Sequence, residues 1–324
     1  MRDTIDIFTT LGRRLATLGT TPQGEELMAK AIEANPWFTR RDILHAVEAI
    51  RHDMLAEAPL SEWLRDYPPT AEPKEVAVIM AGNIPLVGFN DLLCILASGH
   101  RCHIKTSSKD SVLMHHVIEE LRSIDCDIPI YEYSPERHYD MAIATGGDEA
   151  NRYFRDHFAN TRTLLRGSRH SLAILDGTES TEELEALSKD ITLYSGLGCR
   201  SVSMVMLPKG CNLSLPQCEV ANRKLEGNIR TMRALMTMQG RRFGDHGGYL
   251  SVESQEFPTS LATVSLCYYD DIEDVIGWID ERRDGIQCVV THTDIEGGVP
   301  FGQAQRPTLW DYADGVDTMA FLTK

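Results

Sequence analysis

Over residues 1–66 the apolar positions recur every three or four residues. Ile5, Phe8, Leu11 and Leu15 lie on one helical stripe, and RDILHAVEAIRHDML repeats that spacing. ELMAKAIEAN is built from strong helix formers and Asn35-Pro36 ends it, so this whole region is expected to be helical. YPPTAEP, with three prolines in seven residues, interrupts the period and predicts a linker. Beyond it the period changes. EVAVIM (75–80), HRCHIK (100–105), IPIYEY (128–133) and MAIAT (141–145) are short β-rich runs, separated by helical patterns in FNDLLCILAS, SVLMHHVIEELRS and DEANRYFRDHF. Strands alternating with helices of this length predict parallel βαβ units and a doubly wound α/β sheet. A second such passage runs from SLAILDG through the helical TEELEALSKDITLY to the strand SVSMVMLP. It continues with the long helical CEVANRKLEGNIRTMRALMTM, the strand LATVSLCYY, the helix DIEDVIGWIDERR and the strand IQCVVT.

Val76 to Ser98 is the one stretch apolar enough to suggest a membrane span, but Asn83, Pro85, Asn90 and Asp91 interrupt it, so strand, turn and helix fit better. No integral membrane segment is expected. A net charge of −16 repels nucleic acid and anionic membrane, which removes those partners. The eight cysteines show no CxxC pair or zinc spacing in a chain too long to need disulfide staples. The N-terminus carries Asp3 and Asp6 where a signal peptide would be apolar. Reduced thiols and a cytoplasmic location are the expectation. HRCH (100–103) would alternate faces in a strand, and His115-His116 would diverge on a helix, so no metal is expected.

Four segments hold candidate chemistry. In YSGLGCRSVS, Cys199 reads either as a small buried residue or as a nucleophile. Gly196 and Gly198 allow close backbone approach, and a neighbouring cation such as Arg200 favours thiolate. MAGNIPLVGF places Gly82, Asn83 and Pro85 where a strand gives way to a helix. Asn83 is either an amide donor for an oxyanion or simply a good turn residue. IKTSSKD ends another strand with Lys105, Ser107, Ser108 and Lys109, suited to phosphate and ribose oxygens or, for the serines, to helix capping. ATGGDEANRYF sets Gly146 and Gly147 at a helix start, without the GxGxxG or Walker patterns.

Taken in order, GNIPLVGF, IKTSSKD, ATGG, the cysteine loop LGCRSVS and PFGQAQRPTLWDYADGVDTMAFL resemble the LuxC-type acyl-CoA reductase family of the aldehyde dehydrogenase superfamily, from about residue 35 to the C-terminus. The resemblance implies an aldehyde dehydrogenase-like α/β fold. Its parts would be a helical region over 1–70 packing on the cofactor domain, a Rossmann-like cofactor domain over 71–175, a catalytic domain over 176–298, and a segment over 299–324 returning to the cofactor domain or forming an oligomer interface. It also implies that Cys199 is the nucleophile, Asn83 the side-chain oxyanion donor, Lys105 a contact to the cofactor's adenosine ribose, and Gly146 and Gly147 the turn where the cofactor approaches a helix. If KTSSKD faces that ribose, the lack of a carboxylate before Asp110 favours NADPH, with NADH the second choice.

Acyl-CoA or another acyl thioester is the implied substrate, with an acyl-activating or acyl-transferring protein as partner and a homo-oligomer as the expected state. Oxidising members of the superfamily carry a glutamate where this chain aligns Arg166, and no Glu lies between Glu149 and Glu179; Asp148 and Asp176 are the nearest other bases in sequence. An aldehyde oxidiser of the same fold, a cysteine acyltransferase or thioesterase, and a scaffold with a degenerate site are the competing readings.

Overall fold

In the computed structural model, which describes residues 3–211 and 214–324, the chain divides into two units, 1–168 with 306–324, and 169–305. The first begins with four helices, α1 (Thr4–Leu15), α2 (Pro22–Ala34), α3 (Arg40–Ala49) and α4 (Glu57–Leu64). Asp3, Thr21 and Thr39 cap the first three by accepting N–H groups of their first turns. A π turn at Ile50–Met54 extends α3. Then come β1 (Glu75–Ile79), α5 (Phe89–Ala97), β2 (Arg101–Lys105), α6 (Ser111–Ile124), β3 (Ile130–Glu132), β4 (Met141–Thr145), α7 (Asp148–His157) and β5 (Arg162–Arg166).

The five strands are all parallel, in the order β3-β2-β1-β4-β5. Alternation along β1 sorts its side chains between two cores. Val76 and Val78 face the larger one, shared with α5, α6 and the N-terminal helices, while Ala77 and Ile79 pack with Tyr139, Ala142, Ala144 and Phe158. Because α1 and α2 pack on α6 within that larger core, residues 1–70 are not a separate body.

The second unit holds β6 (His170–Ile174), α8 (Thr181–Thr192), β7 (Val202–Pro208), α9 (Arg223–Met238), β8 (Gly244–Asp245), β9 (Leu250–Glu253), β10 (Thr263–Tyr269), α10 (Ile272–Glu281), β11 (Ile286–Val290) and β12 (Gly298–Val299). Its sheet runs β12-β11-β6-β7-β10-β9-β8, parallel except for the β8–β9 pair. Leu187 and Ile191 of α8 cover the face bearing Ala173, Val205 and Leu207, and Val275 and Ile279 of α10 cover the face bearing Leu172, Met204 and Met206. The chain closes with α11 (Thr318–Thr323). Among the described residues, no helix is long and apolar enough to cross a membrane.

The boundaries differ from those expected. The first division falls after Ser168 and not at 175, because β6 pairs with β7 and β11 of the second sheet. The second falls after Gln305 and not at 298, because Asp190 on α8 binds the N–H groups of Gly302 and Ala304 and keeps that segment in the second unit. The helix expected from Cys218 starts only at Arg223, where Asn222 caps it, while Cys218 bridges to Gly247.

Candidate active site

The carboxyl ends of β1, β2 and β4 carry Asn83, Lys105, Ser107, Ser108, Gly146 and Gly147, at the edge of the sheet where ligands of such folds bind and where the strand order reverses between β1 and β4. Asn83 is half-buried in the loop between β1 and α5. Its neighbour Gly82 sits so close to the turn after β2 that a Cβ there would lie 2.6 Å from the side chain of Ser107 and 3.1 Å from Asp110 Cβ, so only glycine fits. Leu86 adopts φ 55° and donates its N–H to Asp110 Oδ2 at 2.8 Å. Asp110 stands at the N-cap of α6 but turns its carboxyl to Leu86 instead of its own helix. It is 2% exposed, and among the described residues its Oδ1 is buried with no hydrogen-bond partner. Burial pushes this carboxyl up to about 8, against the pull of the Leu86 N–H.

In that turn Ser107 Oγ accepts the Lys109 N–H at 3.3 Å, while Ser108 and Lys109 are exposed. Neither serine caps α6. Gly147 is the N-cap of α7, with open space where a Cβ would stand, whereas a Cβ on Gly146 would meet Ala150 at 2.7 Å. Asp148 and Glu149 already place two carboxylates in the first turn of α7, so an anion at that helix start meets competing negative charge.

A cleft of about 490 Å³ opens beside this edge. Lys105 and Thr106 line it from the end of β2, Tyr131, Glu132 and Tyr133 from β3 and the residue after it, and Tyr153, Phe154 and His157 from α7. Its aromatic wall is ordered by its own bonds: Tyr133 Oη hydrogen-bonds His157 Nε2 at 2.8 Å, and Tyr153 stacks on His157 at an interplanar angle of 13°. Lys105 Nζ lies 5.9 Å from the Tyr133 ring centroid. Of these lining residues Lys105 alone was legible in the sequence as a candidate; the aromatic residues were not, nor was Glu132, which brings a carboxylate into the same cleft.

Cys199 belongs to the second unit. Between α8 and β7 the chain turns through three consecutive left-handed residues, Tyr194 (φ 55°), Ser195 (φ 57°) and Gly196 (φ 73°). Two of these are not glycine, and such conformations cost on the order of 1 kcal/mol or more each and persist only where packing enforces them. Here packing does, since Tyr194 and Ser195 are buried and Asn222, the cap of α9, donates to Ser195 Oγ at 2.9 Å. The chain then makes a tight turn, closed by the Ser201 N–H on the Gly198 carbonyl, with the half-buried Cys199 inside it. Ser171 Oγ donates to the Cys199 carbonyl at 2.8 Å from β6. The Arg200 guanidinium donates to the Ala304 carbonyl and reaches Cys288 Sγ at 3.6 Å. Both contacts brace the turn.

Arg166 closes β5 and is 5% exposed. It pairs with Asp91 at 2.5 Å and donates to Thr318 Oγ1 at 2.7 Å. Burial works against its charge, yet Asp91 holds the guanidinium above its ordinary range, so it cannot act as a base. His100 is structural, with Nε2 on the Leu322 carbonyl, and His103 is buried against Glu75. Among the described residues, two groups bring three possible metal-ligand atoms within 4.8 Å of one another, Asp125 with Cys126 and Asp127, and Asp176 with Glu179 and His292. Neither contains the histidine pairs considered in the sequence.

The fold is that of the aldehyde dehydrogenases. A propionaldehyde dehydrogenase from the Clostridium phytofermentans fucose utilisation microcompartment aligns over 95% of this chain and 82% of its own, with a TM-score of 0.61 at 11% identity. The NAD+ complex of an aldehyde dehydrogenase from Bacillus cereus aligns over 90% and 73%, with a TM-score of 0.58 at 15% identity. In sequence, a long-chain acyl-protein thioester reductase of Aliivibrio fischeri is 28% identical over an alignment of 284 residues that covers 73% of this chain and 58% of the relative. A second enzyme of that name, from Photobacterium leiognathi, is 25% identical over 179 residues, 48% of this chain and 37% of its own. The chain thus spans little more than half the length of the first of these relatives. Residues 12–235 match the family model described as acyl-CoA reductase (LuxC), and the chain belongs to that family.

Proposed function

We propose that this chain reduces acyl thioesters to aldehydes with a nicotinamide cofactor, through a thioacyl intermediate on Cys199. The observation that carries the reading is the turn itself: three left-handed residues, held by burial and Asn222, present a half-buried cysteine between glycine-rich backbone and the start of β7. Strain maintained at such a place is characteristic of functional sites. In the proposed reaction the Cys199 thiolate adds to the thioester carbonyl, the Asn83 amide and a backbone N–H stabilise the oxyanion, and the carrier thiol leaves. The chemistry that a reduced nicotinamide supplies when bound is hydride delivery to the thioacyl carbon. The hemithioacetal then expels aldehyde and restores the cysteine thiol.

The cleft fits the adenosine end of such a cofactor, with aromatic faces for a base and Lys105 beside Thr106 for the ribose or its phosphate. Gly146 and Gly147 allow backbone approach at the start of α7. NADPH is the proposed donor and NADH the second, with Lys105, Ser107 and Ser108 on the side of the 2′-phosphate and Glu132 against it. The family's description names acyl-CoA and the curated relatives are named for acyl-protein thioesters; both carry the same reactive carbonyl. An acyl-activating or acyl-transferring protein partner, a homo-oligomer and a cytoplasmic setting complete the proposal. With Arg166 paired to Asp91, no base is available there to drive hydrolysis to free acid.

The test is a panel of acyl-CoA and acyl-protein thioesters with NADPH or NADH, following nicotinamide absorbance and aldehyde. Thioester-dependent aldehyde formation is expected. Thioester cleavage that needs no nicotinamide, or rapid free-acid formation from aldehyde and oxidised cofactor without CoA, contradicts the proposal.

A further inference from the structure

Asp190 is a buried carboxylate that the chemistry above does not use. It sits on α8, 1% exposed, and accepts the Gly302 N–H at 2.6 Å and the Ala304 N–H at 3.1 Å. These bonds hold the segment 300–305 along α8. The fit is close: Gly302 has φ 81°, and a Cβ there would come to 3.1 Å from Ala186 Cβ. The same segment grips the two residues that follow Cys199. The Ala304 carbonyl accepts from Arg200, and Gln305 Nε2 donates to Ser201 Oγ at 2.9 Å. A continuous chain of contacts within one unit therefore runs from α8 through this strap to the cysteine turn.

We infer that Asp190 is a positioning residue for Cys199, acting through the strap 300–305. The inference rests on the reading of Cys199 as the nucleophile. The charges acting on Asp190 are Arg200, from the cysteine turn, and Lys189, its neighbour on α8. Burial raises its carboxyl to about 7, with the two N–H groups and these cations pulling the other way. As the anion, both oxygens accept strap N–H groups. Once protonated, the carboxyl has one oxygen committed as an O–H donor, and the strap is held less firmly. Asp190→Asn fixes the neutral arrangement at every pH.

The measurement is the rate at which iodoacetamide modifies Cys199, resolved by peptide mass spectrometry between pH 6 and 8.5, together with kcat for thioester reduction, in wild type, Asp190→Asn, Gln305→Leu and the double variant. Loosening the turn exposes the half-buried thiol, so Asp190→Asn is expected to be modified about tenfold faster at pH 8, with kcat lowered to a similar degree and cofactor KM unchanged, the scale of losing charge-assisted hydrogen bonds. At pH 6 the two proteins should converge. In the Gln305→Leu background the Asn substitution should add less than in wild type, because one of the strap's two links to the turn, that from Gln305 to Ser201, is already cut while that from Arg200 to Ala304 remains. A difference that does not vary with pH, or one that persists in full in that background, overturns the inference. If Asp190→Asn does not fold, Gln305→Leu alone must speed Cys199 modification, and an unchanged rate overturns it. Retention of turnover by Cys199→Ala would instead remove the nucleophile assignment, leaving the alkylation comparison as a separate result.

Discussion

The loop that carries Asn83 and the loop that carries Cys199 are each tied to a buried aspartate, and the two ties differ in kind. Among the described residues Asp110 accepts a single N–H, from Leu86, and leaves its other oxygen buried without a partner; Asp190 accepts two N–H groups of the strap that grips the cysteine turn and feels two nearby cations. Burial is the dominant influence on both, yet it takes Asp110 to about 8 and Asp190 only to about 7. The better-satisfied carboxylate keeps its charge to lower pH. Backbone strain divides the same way. The Asn83 loop has one left-handed non-glycine residue, Leu86, and is fixed largely by close packing, with Gly82 against Ser107 and Gly88 against Met80. The cysteine turn has three left-handed residues in a row, two of them not glycine. In the proposed reaction a side-chain amide needs only to be near the developing oxyanion, whereas an attacking sulfur must be held to a narrow approach, and the costlier backbone stands beside the proposed nucleophile.

The largest effect expected on the Asn83 side is catalytic. Asn83→Ala should lower kcat about 10²–10³-fold, the usual loss for one oxyanion donor, with cofactor KM unchanged. Steady-state kinetics with an acyl thioester check this, and a loss below about threefold would remove Asn83 from the oxyanion site. Next comes a pH effect on stability. Because the folded state raises the Asp110 pKa, the native protein retains a proton that the unfolded chain releases near 4. This group's contribution therefore weakens as pH rises from about 4 to about 8 and is constant above that. Asp110→Asn has no such proton, so urea unfolding at pH 5 and pH 9 should show the variant gaining on wild type by on the order of a few kcal/mol. A difference independent of pH contradicts the assignment. The smallest effect concerns the cleft: Glu132→Gln should shift the ratio of kcat/KM for NADPH over NADH upward by roughly tenfold, and Lys105→Ala should shift it downward. Equal ratios in all three proteins would detach the cleft from the cofactor's ribose.

How far the sequence disclosed these features follows from how local each one is. MAIAT and SVSMVMLP read as strands and are β4 and β7, since apolar β-formers bounded by turns need no distant partner to be recognised. RTLLR, which forms β5, gave no strand signal, because three of its five residues are charged or polar and only pairing with β4 makes it a strand. The sequence-derived site shows the same limit. Asn83, Lys105, Ser107, Ser108, Gly146 and Gly147 each end or follow a strand and were visible one segment at a time. Glu132, Tyr133, Tyr153 and His157 meet only when the end of β3 and α7 are brought to one cleft, and no spacing announces them. Asp110 was noticed merely as the first acid after KTSSK, and Asp190 not at all, because their partners Leu86 and Gly302 lie far off in sequence.

The central claim is that Cys199 becomes acylated. Incubating the protein with radiolabelled long-chain acyl thioester in the absence of nicotinamide, followed by denaturation and peptide mapping, tests it directly. The account predicts one hydroxylamine-labile acyl group on the peptide containing Cys199, discharged as aldehyde when NADPH is added, and no label in Cys199→Ala. Equal labelling of the alanine variant, or label confined to another cysteine such as the exposed Cys126, would contradict it.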